Sequence, residues 1–377
     1  MAGIYIHIPF CRQKCTYCDF HFSTSYHVYE QEMIASIVKE IELRKEYLAD
    51  QTVDTIYFGG GTPSLLSEEQ IKLILKTVHQ NFSCSEFPEI TLEANPDDIN
   101  LEKALSWKSA GINRLSIGIQ SFDMRDLKWM NRAHDSQQAL DCLPIAQSAG
   151  IKNISLDLIY GLPDLSNERW MKQIETALSL NPTHISAYCL TIEKKTALHQ
   201  LVKQKKLIPA ENEQQSEQFE ILIKTLKSNG FEHYEISNFA MPGYISKHNS
   251  NYWRGISYLG VGPSAHSYNG TSRSWNIANN PTYIRLLKTK ETAAFDWFET
   301  EELTPENSFN EMILIGLRTS WGVDLTALNE IIKVDSAFNA KVKQYESKGW
   351  MFQSNQHLIL TETGRHWADA IAEDFFV

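Results

Sequence analysis

The residues best suited to chemistry are three cysteines that lie close together near the start of the chain. They fall in the segment Cys11-Arg-Gln-Lys-Cys15-Thr-Tyr-Cys18. Thiolates are the usual protein ligands of iron–sulfur clusters, normally one for each iron and four for a cubane. Three thiolates on one loop therefore hold three irons and leave the fourth open to a small ligand. The spacing predicts an iron–sulfur centre with one open position.

Zinc is the alternative ion for the same loop, with His7 or His21 as the fourth ligand. Structural zinc sites usually combine one C-x2-C pair with a second pair further along the chain. A disulfide is the other alternative, but the sequence predicts a cytoplasmic protein, and that compartment keeps thiols reduced. The remaining cysteines, Cys84, Cys142 and Cys189, are scattered and are expected to be small core residues.

The composition is that of an ordinary globular protein with an acidic balance. The chain has 377 residues, 42% of them hydrophobic, and a formal net charge of −11. A protein that neutralises phosphates usually has a basic face, so we expect no nucleic-acid partner and disfavour RNA modification as the function. No run reaches the roughly 18 apolar residues of a membrane span, so any membrane contact is expected to go through partners.

Short β-rich runs alternate with amphipathic helical patterns over the first half of the chain. This alternation predicts parallel strands joined by right-handed crossovers, in either an open doubly wound sheet or an incomplete barrel. Both architectures place the functional loops after the carboxyl ends of the strands. The predicted strands are Ile4–Ile8, Thr55–Phe58, Ile90–Glu93, Arg114–Ile119, Ile154–Leu158 and His184–Cys189.

Small and polar residues follow several of these strands. Gly59-Gly60-Gly61-Thr62-Pro63 comes after the second, and three glycines in a row let a ligand approach the backbone. Glu93 and Gln120 end the third and fourth strands, and Asp157 lies in the fifth. Because such residues recur around one rim, we expect them to share a pocket.

The C-x3-C-x2-C spacing after the first strand resembles the signature of the radical-SAM superfamily. The resemblance implies an α/β fold, with an incomplete (β/α)6 barrel followed by a smaller mixed α+β C-terminal domain. It also implies that Cys11, Cys15 and Cys18 hold a 4Fe–4S cluster that binds S-adenosylmethionine (SAM). The predicted parts are a radical-SAM core at 1–230, a linking region with a haem motif at 231–275, and a C-terminal domain at 276–377.

Within the superfamily the chain resembles the branch that contains anaerobic coproporphyrinogen III dehydrogenases and the haem chaperone family HemW. The similarity includes Asn131-Arg132-Ala133-His134 and Gly316-Leu-Arg-Thr-Ser-Trp-Gly-Val-Asp324. The SAM contacts that it implies are Tyr5, Tyr17, Gly60, Gly61, Thr62, Glu93, Gln120, Arg132 and Asp157.

Two features separate the two families. Phe20 stands where the dehydrogenases have a further cysteine, and ten residues precede Cys11 where those enzymes have a longer arm. His248-Asn-Ser-Asn-Tyr-Trp253 matches the H-N-x-x-Y-W motif of the haem chaperones, which implies that His248 ligates haem iron. His266 is a second candidate ligand.

The prediction is a protein that carries haem to respiratory apoproteins and binds a cluster with SAM. The alternative is SAM-dependent oxidative decarboxylation of coproporphyrinogen III. Whether SAM is cleaved during haem delivery is left open.

Overall fold

The computed structural model describes residues 1–288 and 297–377. Three short 3-10 helices cover Tyr26–Val28, Pro63–Leu65 and Pro96–Asp98. The strands are β1 (Ala2–Ile8), β2 (Val53–Gly60), β3 (Cys84–Ala94), β4 (Arg114–Gln120), β5 (Asn153–Tyr160), β6 (His184–Cys189), β7 (Glu232–Glu235), β8 (Asn238–Ala240), β9 (Tyr258–Val261), β10 (His266–Tyr268), β11 (Ser272–Asn276), β12 (Phe298–Glu302), β13 (Val323–Asp324), β14 (Met351–Ser354) and β15 (His357–Leu360).

The α-helices lie between and after these strands. They are α1 (Glu30–Leu43), α2 (Glu68–Asn81), α3 (Leu101–Ala110), α4 (Met124–Trp129), α5 (Ser136–Ser148), α6 (Asn167–Ser179), α7 (Ala197–Lys203), α8 (Asn212–Ser228), α9 (Lys247–Trp253), α10 (Asn280–Lys288), α11 (Pro305–Leu317), α12 (Leu325–Ile331), α13 (Ser336–Ser347), α14 (Glu362–Arg365) and α15 (Ala368–Asp374). No helix of 1–288 or 297–377 is both long and apolar enough to cross a bilayer.

One large sheet contains the first twelve strands in the order β12-β11-β10-β9-β1-β2-β3-β4-β5-β6-β8-β7. Strands β1 to β6 are parallel and neighbours in chain order. The order does not reverse among them, as it would in a doubly wound sheet. All six predicted strands are confirmed, since each lies within an observed one.

Side chains alternate along the parallel strands between an apolar and a polar face. The apolar face packs with helix residues such as Ile37 and Leu143 in one core. It consists of Ile4, Ile6, Ile8, Ile56, Phe58, Ile90, Leu92, Leu115, Ile117, Ile154, Leu156, Leu158 and Ile185. The opposite face carries Tyr5, His7, Thr55, Tyr57, Glu89, Thr91, Glu93, Arg114, Ser116, Ser155, Asp157, His184 and Ser186. This polar face contains Tyr5, Glu93 and Asp157, three of the predicted SAM contacts.

A buried carboxylate joins α1 to the part of the sheet beyond β1. Glu40 is fully buried and accepts hydrogen bonds from the backbone N–H of Gly262 at 2.8 Å and from Asn276 Nδ2 at 2.8 Å. The Tyr283 hydroxyl and Trp297 Nε1 also donate to it, at 2.5 and 3.2 Å. Arg44, one turn further along α1, forms a buried ion pair with the same carboxylate. This network fixes β9 to β11 against the parallel strands.

A second hydrophobic core contains Phe309, Leu317, Leu358 and Phe375, and it lies around the small sheet β13-β15-β14. Helices α11 and α13 contribute Phe309, Leu317 and Val342 to this core. The first sheet continues as far as β12, which ends at Glu302. Residues 289–296 of the predicted C-terminal part lie outside the described residues.

Candidate iron–sulfur and SAM site

The cysteine loop follows β1 and is anchored to the rest of the molecule by backbone hydrogen bonds. Cys11 N–H donates to the Ser23 carbonyl at 3.1 Å, and Thr16 N–H donates to the Met130 carbonyl at 3.1 Å. Cys11 is buried, and Cys15 and Cys18 are half-buried. The loop therefore holds its three thiols at the carboxyl end of β1, one of them facing inward.

Burial also sets the protonation of these thiols. It raises the pKa of Cys11 to about 12 and that of Cys18 to about 11. Cluster assembly needs thiolates, so iron must displace protons when it binds. Thiol sulfurs on one loop with donors beside them form the donor set that an iron–sulfur cluster uses, and the loop fits a cluster on these grounds.

The histidines of the zinc alternative are already engaged. His7 Nε2 bonds the His21 carbonyl at 2.8 Å, and His21 Nε2 bonds Asn280 Oδ1 at 2.7 Å. Within 1–288 and 297–377, no three His, Cys, Asp or Glu side chains come together as the ligands of a single metal ion. Neither histidine completes a zinc site with the cysteines in this conformation.

Gly60, the last residue of β2, and Gly61, which follows it, lie against the cysteine loop with no room for a side chain. A Cβ on Gly61 would lie 2.5 Å from the Phe10 carbonyl oxygen, and one on Gly60 would lie 2.5 Å from the His7 ring. Gly60 also has a φ of +105°, which favours glycine. The Thr62 hydroxyl donates to Cys11 Sγ at 3.5 Å. The glycine segment therefore brings bare backbone beside the cysteine that is most buried.

Two half-buried carboxyl groups lie on the polar face of the parallel strands. Glu93 accepts hydrogen bonds from the Tyr57 hydroxyl at 2.9 Å and from Gly60 N–H at 3.2 Å. The Ser116 hydroxyl donates to the Asp157 carboxyl group and lies 3.1 Å from each of its two oxygens. Burial raises the pKa of Glu93 to about 7 and that of Asp157 to about 6. Carboxyl groups of this kind suit a cationic ligand, because its positive charge favours their ionised form.

Arg132 connects the cysteine loop to the ends of β3 and β4. Its Nη1 donates to Cys15 Sγ at 3.4 Å, and its Nη2 donates to Asn95 Oδ1 at 2.7 Å and to the Gly118 carbonyl at 2.8 Å. Arg132 Nε is buried without a partner among the described residues. An unpaired buried donor is costly unless a ligand or a water satisfies it.

Three further predicted contacts lie in different surroundings. Tyr17 is half-buried beside Arg132, and burial raises the pKa of the Tyr17 phenol. Gln120 has a φ of +64°, a left-handed conformation that non-glycine residues seldom adopt outside functional or turn positions. Tyr5 is hydrogen-bonded to His7 Nδ1 at 3.2 Å. The structure thus brings the predicted contacts from β1 to β5 to one end and one face of the sheet.

Sequence reasoning missed three residues of this region. Asn95 joins two predicted ones, since its Nδ2 donates to Thr62 Oγ1 at 3.3 Å while its Oδ1 accepts from Arg132. Tyr57 bonds Glu93, and Thr55 bonds His248. Thr55 and Tyr57 are two residues apart before Gly59, and this spacing could have indicated that both side chains lie on the same face of β2. Asn95 could have been found from its position directly after β3.

His248 is not at the surface. It lies on α9 at the opposite end of the polar face from the cysteines and is 2% exposed. Its Nδ1 is hydrogen-bonded to Thr55 Oγ1 at 2.8 Å and its Nε2 to the Tyr252 hydroxyl at 2.9 Å. Burial lowers the pKa of the imidazole to about 3, so it is neutral at physiological pH. His266, in contrast, is exposed on β10.

The raised pKa of Glu93 predicts a pH-dependent stability. A carboxyl whose folded pKa lies above its unfolded value stabilises the fold at low pH, and this contribution is lost as the pH rises through the folded value, here about 7. Between pH 5 and pH 8 the free energy of unfolding of the apoprotein should fall by about 3 kcal/mol more than that of Glu93→Gln. Urea unfolding at both pH values measures the difference. Parallel pH profiles for the two proteins would contradict the burial of an ionisable Glu93.

Comparison with known proteins gives two family matches and a shared fold. Residues 5–177 match the Radical SAM superfamily, and residues 303–367 match the HemN C-terminal domain. Coproporphyrinogen III oxidase (HemN) from Escherichia coli has a TM-score of 0.84 to this structure, with 100% of this chain and 90% of that chain covered. At 23% identity this likeness shows a shared fold. The loop, the sheet and these matches define a radical-SAM protein with a HemN-type C-terminal domain.

Curated relatives over the whole length identify the branch. The heme chaperone HemW of Bacillus subtilis is 37% identical over 97% of this chain and 96% of its own. The HemW proteins of Mycobacterium tuberculosis and Lactococcus lactis are 33% and 29% identical, each with more than nine tenths of both chains covered. The chain belongs to the HemW family.

Proposed function

We propose that this protein is a haem chaperone, which binds haem and delivers it to respiratory apoproteins that require it. The observation that carries the proposal is the 37% identity to the HemW of B. subtilis along almost the whole of both chains. The H-N-x-x-Y-W segment at 248–253 supports it, because aromatic and imidazole side chains are suited to a porphyrin and its iron.

Membership of the radical-SAM superfamily implies SAM and a 4Fe–4S cluster as cofactors. In this proposal Cys11, Cys15 and Cys18 hold the cluster, and Arg132 keeps Cys15 in place. When bound and reduced, such a cluster would supply an electron to SAM. The remaining proposed SAM contacts would hold the molecule, among them the backbone of Gly60 and Gly61 and the carboxyl groups of Glu93 and Asp157.

Three finer features of the molecule belong to the same proposal. We infer that β1 to β6 curve into an incomplete (β/α)6 barrel, because right-handed crossovers between strands in chain order place every helix on one face. The division into parts at 1–230, 231–275 and 276–377 is a proposal as well. So is a cytoplasmic location, which the free state of all six cysteines supports.

For His248 to ligate haem iron, its ring must first give up a hydrogen bond. Both imidazole nitrogens have partners in this structure, so iron has to replace either Thr55 or Tyr252. His248 stays our proposed haem ligand, and His266, whose ring is exposed, is the alternative.

The second candidate function is oxidative decarboxylation of coproporphyrinogen III. The fold shared with the E. coli coproporphyrinogen III oxidase favours it. Phe20, which is 67% exposed beside the cysteine loop, stands against it, because the dehydrogenase pattern has a cysteine at that position.

One preparation tests both functions. Cluster-loaded protein is titrated with haem while the Soret band is followed, and it is then incubated with a haem-free respiratory cytochrome. In parallel it is incubated anaerobically with coproporphyrinogen III and SAM. We expect haem to bind and to pass to the cytochrome, and no protoporphyrinogen to form. Protoporphyrinogen with no haem transfer would overturn the chaperone proposal in favour of the enzyme.

A further inference from the structure

We propose that His248 is a positioning residue of the SAM site, and that ligation of haem iron by His248 weakens the binding of SAM. The first half concerns the protein without haem. The second half rests on the proposed haem chaperone function and on His248 as the ligand. Together they make the haem motif a part of the SAM site.

His248 occupies a close-fitting slot at the start of β1 and β2. Gly3 and Thr55 are paired neighbours in these strands. A Cβ on Gly3 would lie 2.9 Å from Thr55 Oγ1 and 3.4 Å from the His248 ring, so glycine is needed there to make room. The backbone N–H groups of Lys247 and His248 donate to the buried Glu89 carboxylate, at 3.2 and 3.0 Å, and hold the start of α9 against β3.

From this slot the imidazole supports the residues that hold Glu93. Its ring stacks on Tyr57, with the centroids 4.8 Å apart and the planes at 22°. The Tyr57 hydroxyl donates to Glu93 at 2.9 Å, and the same carboxyl group accepts from Gly60 N–H. A continuous set of contacts therefore runs from the haem motif, through one tyrosine, to the carboxyl group and the glycine segment.

These contacts imply that the His248 imidazole cannot stack on Tyr57 and ligate haem iron at the same time. A nitrogen that ligates iron cannot also bond Thr55 or Tyr252, and a porphyrin does not fit beside a ring that is 2% exposed and stacked on Tyr57 with the centroids 4.8 Å apart. The imidazole must therefore leave Tyr57 when it ligates haem. Tyr57 then loses the ring that stacks on one of its faces, and the Glu93 carboxyl group that Tyr57 bonds is held less firmly. Because coupling between two ligands is reciprocal, SAM must weaken haem ligation by the same factor.

The test measures SAM affinity by anaerobic equilibrium dialysis against cluster-loaded protein, with and without haem. We expect His248→Ala to weaken SAM binding in the absence of haem by about twofold to tenfold, the range that loss of an aromatic pair gives. Haem should also weaken SAM binding to the wild-type protein. In His248→Ala, the addition of haem should leave SAM affinity unchanged. His79→Ala, a histidine exposed in the last turn of α2, is the matched control and should behave as wild type.

Iron content and the SAM-induced change in the cluster's EPR spectrum are recorded for each variant, so that a lost cluster is not mistaken for a displaced tyrosine. If His248→Ala does not fold, Gly3→Ala takes its place, because its Cβ would lie 2.9 Å from Thr55 Oγ1 and so displace the hydroxyl that bonds the His248 ring. This variant should weaken SAM binding in the same direction. Equal SAM affinity in wild type and in the variant measured, His248→Ala or Gly3→Ala, overturns the positioning role of His248. If haem binds but leaves SAM affinity unchanged, the competition between haem and SAM is overturned. If haem does not bind wild type, the chaperone proposal fails, and the haem-free comparison still decides the positioning role.

Discussion

Replacing any one of Cys11, Cys15 and Cys18 by alanine is expected to reduce the iron bound per chain by at least about tenfold, since even indirect partners of a metal ligand cost this much. The three thiols lie on one loop, and the glycine segment beside Cys11 leaves no room for a substitute side chain to reach inward. Because the loop supplies all of the predicted protein ligands, two thiolates cannot retain the cluster. Iron and sulfide analysis after anaerobic reconstitution measures the loss.

The matched control is Cys84→Ala. Cys84 is a half-buried thiol at the start of β3, far along the chain from the loop, and its Sγ donates to the Phe82 carbonyl. This variant should bind as much iron as wild type. A cysteine-loop variant that keeps its full iron content would contradict the assignment of the cluster. If the purified protein contains zinc in place of iron, the zinc site becomes the better interpretation, although His7 and His21 are hydrogen-bonded elsewhere.

Replacing Glu40 by alanine is expected to lower the free energy of unfolding by about 3–5 kcal/mol, the usual cost of breaking a buried ion pair. The carboxylate accepts hydrogen bonds from Tyr283, Asn276 and the Gly262 backbone, all of them buried. Its removal leaves these donors and the Arg44 guanidinium without their partner in the interior. Urea unfolding followed by circular dichroism measures the change.

Glu42→Ala is the control on the same helix. Glu42 is exposed and pairs with Lys39 at the surface, with an N–O distance of 3.4 Å. A surface pair of this kind contributes at most about 1 kcal/mol, so the control should unfold close to wild type. Similar losses for Glu40→Ala and Glu42→Ala would mean that the buried network does not stabilise the fold as described.

The six strands of the core could be predicted from the sequence because each is a short β-rich run between helical patterns. Those runs contain the apolar side chains that pack on the helices, such as Ile4, Ile6 and Leu156. Alternation along a strand is a local property, so a single sequence reveals it. The placement of Gly60 and Gly61 at the end of β2 followed from the same local pattern.

The environment of His248 could not be predicted in this way. Its partner Thr55 is 193 positions earlier in the chain, and nothing in the local sequence indicates that the two meet. The motif gives the type of residue but not its burial, and burial decides whether the ring is available to iron. The Glu40 network was missed for the same reason, since Asn276 lies 236 positions away from it.

The last strand of the large sheet has a consequence for solubility. β12 lies at one end of the strand order, and its residues Glu299, Glu301 and Glu302 are exposed. An open sheet edge invites pairing with another copy, and charged side chains on the edge strand discourage it. Two molecules that approach through β12 bring glutamates against glutamates, on chains that each already carry a net charge of −11. The acidic edge thus disfavours pairing of the sheet with a second molecule through β12.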